Sequence, residues 1–103
     1  MQLLKKGLRK LKGFRILSRR YRTPLGEIDI IARKRSLILM VEVKARHSIC
    51  EAVDSVTYES MRRIQNASDI WLSRQPDAHA LNIRFDIIAM CPGKLPVHLE
   101  NAF

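Results

Sequence analysis

The 103 residues contain only two cysteines, Cys50 and Cys91. That is too few for a disulfide framework, so a reducing cytoplasm is the expected setting. Long hydrophobic runs are missing as well. The longest aliphatic stretch is Leu37–Val41, far short of the ~20 residues of a membrane-spanning helix. The leucines near the start are interrupted every few positions by Lys or Arg, unlike the apolar core of a secretory signal. The chain carries no glycine-rich phosphate loop, dinucleotide fingerprint or Ser–His triad, and so lacks the signatures of common nucleotide-binding and acyl-transfer enzymes. With no internal repeat and no low-complexity linker, residues 1–103 are expected to form one small domain with a basic N-terminal segment, 1–24.

Acid is absent from one end. Residues 1–24 hold Lys5, Lys6, Arg9, Lys10, Lys12, Arg15, Arg19, Arg20 and Arg22 with no Asp or Glu, while residues 25–103 balance ten basic against ten acidic residues. The net charge of +9 is thus carried entirely by the first quarter. A one-ended positive field favours a polyanion, nucleic acid first. Leu4, Leu8 and Leu11 form a narrow stripe on a short cationic helix that Gly13 is expected to end. That stripe suits a membrane surface or a neighbouring sheet, and packing on a sheet is the preferred reading.

Strand patterns follow. Phe14–Tyr21 alternates imperfectly, and Thr23-Pro24-Leu25-Gly26 is turn chemistry. Glu27–Arg33 and Leu37–Arg46 form two strands joined by a short polar gap, a predicted antiparallel hairpin. A polar loop leads to a helix over Val56–Arg74, with Met61, Ile64, Ser68 and Trp71 on one stripe and Thr57 or Ser55 as cap. Asn82–Met90 is a fourth strand, and Leu95–Leu99 is a candidate fifth. A helical crossover makes the third and fourth strands parallel. The expected fold is therefore α/β, a mixed sheet flanked by helices in the order αβββαβ.

If Arg35 and Ser36 form a two-residue hairpin loop, Asp29 lies across from Glu42 and Glu27 across from Lys44. Opposed residues share a face about 5 Å apart. Two carboxylates so placed repel, and burial demands a proton or a cation between them. Mg²⁺ or Mn²⁺ suits oxygen ligands, and Lys44 adds a positive charge where a phosphate would lie. The plainer alternative is a solvated sheet face, with Glu27 paired to Lys44 and Asp29 satisfied by Arg33 or Arg46. The Arg33-Lys34-Arg35 tip is expected to cap the hairpin beside the acidic pair, either as a solvated tip or as the contact where a phosphate backbone enters. With Arg19, Arg20, Arg22 and Arg46 it makes up the expected nucleic-acid surface. His47, Cys50, Cys91 and His98 are a weak zinc candidate with only one pair at ligand spacing. Arg84 and Asp86 share a strand face and are expected to pair.

The run Gly26-Glu27-Ile28-Asp29 followed by Glu42-Val43-Lys44 resembles the Asp…Glu-x-Lys signature of the PD-(D/E)xK nuclease superfamily, which includes restriction endonucleases and archaeal Holliday junction resolvases. More narrowly, five segments resemble the YraN-like family of small bacterial proteins: Gly13-Phe14-Arg15-Ile16-Leu17, Gly26–Ala32, Val41–Arg46, Arg84–Ile88 and Glu100-Asn101-Ala102-Phe103. The resemblance implies a restriction endonuclease-like fold and Mg²⁺-dependent hydrolysis of DNA phosphodiester bonds, including branched or recombination intermediates. A non-catalytic nucleic-acid-binding module of the same fold is the alternative. By the same resemblance, Asp29, Glu42 and the carbonyl of Val43 are metal ligands, and Lys44 is the catalytic lysine. Glu27 belongs to the motif. The chain departs from the family pattern in having no acidic residue before Glu27, and Glu59, Ser60 and Met61 where a Lys is common. Oligomeric state is left open, a homodimer included.

Overall fold

The computed structural model describes residues 2–103, with the side chains from Leu4 onward. Its elements are α1 (Gln2–Arg9), β1 (Arg15–Thr23), β2 (Gly26–Lys34), β3 (Leu37–Ala45), α2 (Ile49–Asp54), α3 (Tyr58–Ser73), β4 (Asn82–Met90) and β5 (Val97–Leu99), with a 3-10 turn at Ala78–Ala80. The strands form one sheet in the order β1-β2-β3-β4-β5. Every pairing is antiparallel except β3–β4, which is parallel across the α2–α3 crossover. The expected mixed sheet is present, with two additions. The fifth strand is real but short, and the loop before α3 contains a helix. Ser48 caps that helix by accepting from the Glu51 N–H at 3.1 Å, and the Glu51 carboxylate accepts from the His47 N–H at 3.1 Å. This is close to a capping box, and it stabilises six residues that have no apolar periodicity of their own.

Alternation along the strands divides the core into two layers. Ile30, Ala32, Leu39, Val41, Ile88 and Met90 pack with Leu11, Leu8 and Leu4 from the α1 segment. The leucine stripe is therefore spent on the sheet, as the packing reading requires. On the other face Ile28, Ile31, Ile38 and Met40 pack beneath Ile64, Ala67 and Trp71 of α3. Trp71 is a core residue. Thr57 caps α3 by accepting from the Ser60 N–H, one of the two caps expected. Ser55 instead ends α2.

The C-terminal segment is anchored through Asp86, which is 0% exposed. Its carboxylate accepts two bonds from Arg84 at 2.9 Å, one from the Asn101 N–H at 2.9 Å, and lies 2.7 Å from His98 Nε2. Burial pushes this carboxyl up, but the Arg84, Asn101 and His98 partners outweigh it and hold the group below its ordinary range. The expected Arg84–Asp86 pair is thus the centre of a larger lock. His98 is committed to it, and among the described residues no three His, Cys, Asp or Glu side chains gather as a metal cluster. The zinc candidate is not assembled.

Helix α3 is set against the start of β2 by an unusually close approach. A Cβ on Gly26 would lie 2.1 Å from the Arg63 carbonyl oxygen, so only glycine lets the helix backbone sit there. Gly26→Ala should cost at least the 1–3 kcal/mol, roughly, of an overpacked core. Urea denaturation checks this, and a variant as stable as the parent would contradict the packing.

Candidate functional site

The β2–β3 ladder runs from Lys34–Leu37 to Ile30–Val41, the register that the two-residue loop predicts. Beyond Ile30–Val41 no further pair is made, although β3 stays paired with β4 as far as Ala45–Met90. The next residues outward are Asp29 and Glu42. Where a backbone carbonyl would have continued the ladder, Oδ2 of Asp29 accepts the Val43 N–H at 2.8 Å. The carboxylate thus ends the hairpin pairing and is held beside Glu42 by it.

A second irregularity aims Asp29. Residues two apart on a strand share a face, yet Ile28 packs in the α3 layer and Ile30 in the α1 layer. The switch occurs at Asp29. Across from it on β1, between the pairs Arg19–Ile30 and Tyr21–Ile28, Arg20 adopts φ +51. A left-handed non-glycine residue inside a strand is strained by about 1–3 kcal/mol, and such strain clusters at functional sites. The half-buried Arg20 is close enough to lower the Asp29 pKa.

Glu42 and Lys44 continue the Ile38–Met40 row of β3 on the α3 face. Helix α3 packs on β1 and β2, and α2 packs on β4, so this row lies between the strands the two helices cover. Glu42 is 9% exposed, and its Oε1 is buried with no hydrogen-bond partner among the described residues. Burial is the main cause pushing its carboxyl up to about 8. Repulsion from Asp29 adds to this, while the Lys44 ammonium and the Asp29 backbone N–H oppose it. Asp29 is also raised, by burial first, against the Val43 N–H, Lys44 and Arg20. Two carboxylates therefore converge, with a half-buried ammonium beside them, and one oxygen is left unsatisfied. Such a group takes either a proton or a cation. Asp29 and Glu42 together fit a hard divalent ion, which accepts carboxylate oxygens and retains waters.

The other expected site residues divide. Glu27 is near enough to raise both carboxyls, but its ion pair is with its β1 partner Arg22 at 3.5 Å, not with Lys44. Val43 supplies its N–H to Asp29. Arg46 follows Lys44 and donates to the Ala45 carbonyl, so it does not satisfy Asp29, and Arg19 is exposed on β1 next to Arg20.

The hairpin tip is a correction. Arg33 is four residues and Arg35 six from Asp29, which places them about 13 and 20 Å away along an extended strand. The tip caps the opposite end of the hairpin, not the acidic pair. Arg33 is also engaged, bonding Asp77 at 3.0 Å and the Arg35 carbonyl at 2.7 Å, while Lys34 lies over the Phe14 ring at 5.7 Å. The strain at Arg20 had no advance signal in composition or alternation.

The profile of the uncharacterised protein family UPF0102 matches residues 4–90. The chain belongs to this family, the YraN-like group. The UPF0102 protein of Mesorhizobium japonicum is 58% identical over 93 residues, 90% of this chain and 74% of that protein. The relative from Chelativorans is 52% identical over 94 residues, 91% of this chain and 76% of its own. The one from Rhizobium meliloti is 58% identical over 93 residues, with 90% and 76% covered.

Glu42 supplies a pH test. In the fold it keeps its proton from its ordinary value of 4.5 up to about 8, a window in which the unfolded chain has lost that proton. The unfolded state then binds fewer protons, so stability falls as pH rises through the window and levels off above it. Metal-free Glu42→Gln protein should match the parent near pH 4 and exceed it by about a few kcal/mol near pH 9. Thermal melts in chelator measure this, and a parent whose stability does not fall relative to the variant would contradict the burial.

Proposed function

We propose that the protein is a metal-dependent endonuclease acting on DNA phosphodiester bonds, with branched or recombination intermediates as its substrate class, in the cytoplasm. The observation that supports this most directly is the buried, unpartnered oxygen of Glu42 beside Asp29, with Lys44 on the same row. Asp29 and Glu42 would hold Mg²⁺ or Mn²⁺, with the Val43 carbonyl as the family resemblance assigns it. When bound, the ion would supply Lewis acidity and neutralise phosphate charge. The protein's own groups do the rest. Asp29 is fixed by the Val43 N–H, so its free oxygen keeps one orientation. Lys44 stabilises the charge that grows on the attacked phosphate. Arg20 and Arg22 on β1, which pairs with β2, and Arg46, directly after β3, offer the phosphate contacts that orient a backbone.

A second reading has an observation in its favour. Glu27 is drawn to Arg22, which leaves Asp29, with one oxygen on the Val43 N–H, and Glu42 as the two carboxylates of the site. A two-carboxylate site suits a nucleic-acid-binding module of the same fold that holds its ligand without turnover.

The experiment that separates them is cleavage of labelled duplex, single-stranded and branched DNA with and without Mg²⁺ or Mn²⁺. The nuclease reading expects metal-dependent cleavage that Glu42→Ala and Asp29→Ala each reduce by about a hundredfold or more, and that Lys44→Ala lowers by about 10²–10³. Cleavage persisting in the carboxylate variants would refute it, as would salt-sensitive binding with no cleavage of any substrate in either metal.

A further inference from the structure

An open groove of about 1080 Å³ lies at the end of β3 and β4, between α1 and the loop leading to β5. Its rim carries Lys6, Arg9, Lys10, Arg46 and Lys94, and no Asp or Glu lines it among the described residues. Its floor is apolar, with Met90, Pro92, Leu95 and Pro96, and Leu95 is 82% exposed. The groove is built rather than incidental. A Cβ on Gly7 would meet Val43 Cγ2 at 3.4 Å and Met90 Cε at 3.6 Å, so α1 is seated directly on the sheet beside the groove. Across the groove, the Arg46 N–H donates to the Met90 carbonyl at 3.1 Å, which ties the exit of β3 to the end of β4.

We propose that this groove binds a nucleic-acid strand with unpaired bases, its phosphates on the cationic rim and its bases on the apolar floor. The inference deepens the nuclease reading and rests on it, in that the strand held here is part of the same substrate. Charge complementarity selects the polyanion, since five cations face one opening without a counter-acid. The floor selects among polyanions. A duplex offers phosphates but hides its base faces, whereas an unpaired base presents a flat apolar surface to proline, leucine and the methionine thioether. Groove and site share the exit end of β3 but stand on opposite faces of the sheet: Glu42 and Lys44 lie on the α3 face, whereas Ala45 and Met90, which line the groove, lie on the α1 face, and the bound strand passes between them around Arg46. From Lys44 to Arg46, two residues of extended chain, is about 7 Å. Leu4 and Leu8 of α1 pack against the core beside Leu11, so among the described side chains the apolar face of that helix is turned to the sheet rather than to a bilayer.

Fluorescence anisotropy of the full chain in chelator, with a short labelled oligothymidylate and a duplex of equal length, tests this apart from any cleavage. The single strand should bind more tightly, with a log–log salt slope of about −3 to −4 for five phosphate contacts. Lys94→Glu and Lys10→Glu should each weaken binding by about tenfold, and Leu95→Ser by several-fold for the single strand alone. All three sites are exposed, and unchanged melting temperatures confirm that the variants fold. Duplex bound as tightly as single strand would overturn the proposal, as would insensitivity to all three substitutions. So would Leu95-dependent binding of anionic vesicles or polyglutamate in place of oligothymidylate. Binding in chelator without cleavage in Mg²⁺ or Mn²⁺ would leave the groove standing and remove the nuclease reading. Cleavage by a protein whose groove variants bind normally would do the reverse.

Discussion

The site depends on where one ladder stops. Had β2 and β3 stayed paired past Ile30–Val41, the Val43 N–H would have met a backbone carbonyl, and the side chains of residues 29 and 42 would have been ordinary neighbours on a sheet. Instead the Asp29 carboxylate takes that N–H, while β3 remains held by β4 on its other edge. The strand carrying Glu42 and Lys44 therefore stays rigid although its β2 partner has left it. A rigid strand facing a vacated edge gives side chains a fixed geometry and room for a ligand, a combination that a fully paired sheet interior cannot offer.

Two costly local features surround that point. Arg20 holds φ +51 in the middle of β1, and Gly26 admits the Arg63 backbone to a distance no side chain tolerates. The first reverses the side-chain alternation at Asp29, and the second brings the first turns of α3 to the start of β2. A sequence selected only for a stable sheet would replace a left-handed arginine with glycine or straighten the strand. Keeping the strained residue is reasonable when its charge is wanted beside Asp29.

Much of this was legible from residue order. The hairpin register followed from a two-residue polar gap between alternating strands, because a side-chain period of two lets only one register bury both apolar sets. The parallel β3–β4 pair followed from the helical crossover, and the Arg84–Asp86 pair from shared face and opposite charge. Other features depend on long-range placement and could not be read. Six residues such as Ile49–Asp54 have too few turns to show a helical period, so α2 passed as loop despite its Ser48–Glu51 cap. The basic tip was assigned to the wrong end of the hairpin, since adjacency in sequence hides the distance that an extended strand covers. Asn101 and His98 reach Asp86 only because β5 folds back on β4.

The contrast between Asp86 and Glu42 carries the functional argument furthest. Both are acids buried within the sheet, on strands that pair with each other, and they lie on opposite faces of it. On the Asp86 side the fold supplies a guanidinium, a backbone N–H and an imidazole, and the carboxyl is held below its ordinary range. On the Glu42 side the strongest neighbouring charge is another carboxylate, one oxygen has no partner among the described residues, and the carboxyl is pushed up to about 8. The same small protein can evidently build full satisfaction for a buried acid where only structure is at stake. Leaving Glu42 unsatisfied, next to a second acid fixed by a backbone bond, is a standing cost to the folded state. A cation or proton bound in function removes that cost, whereas for a purely structural acid a partner or an apolar replacement would remove it more simply.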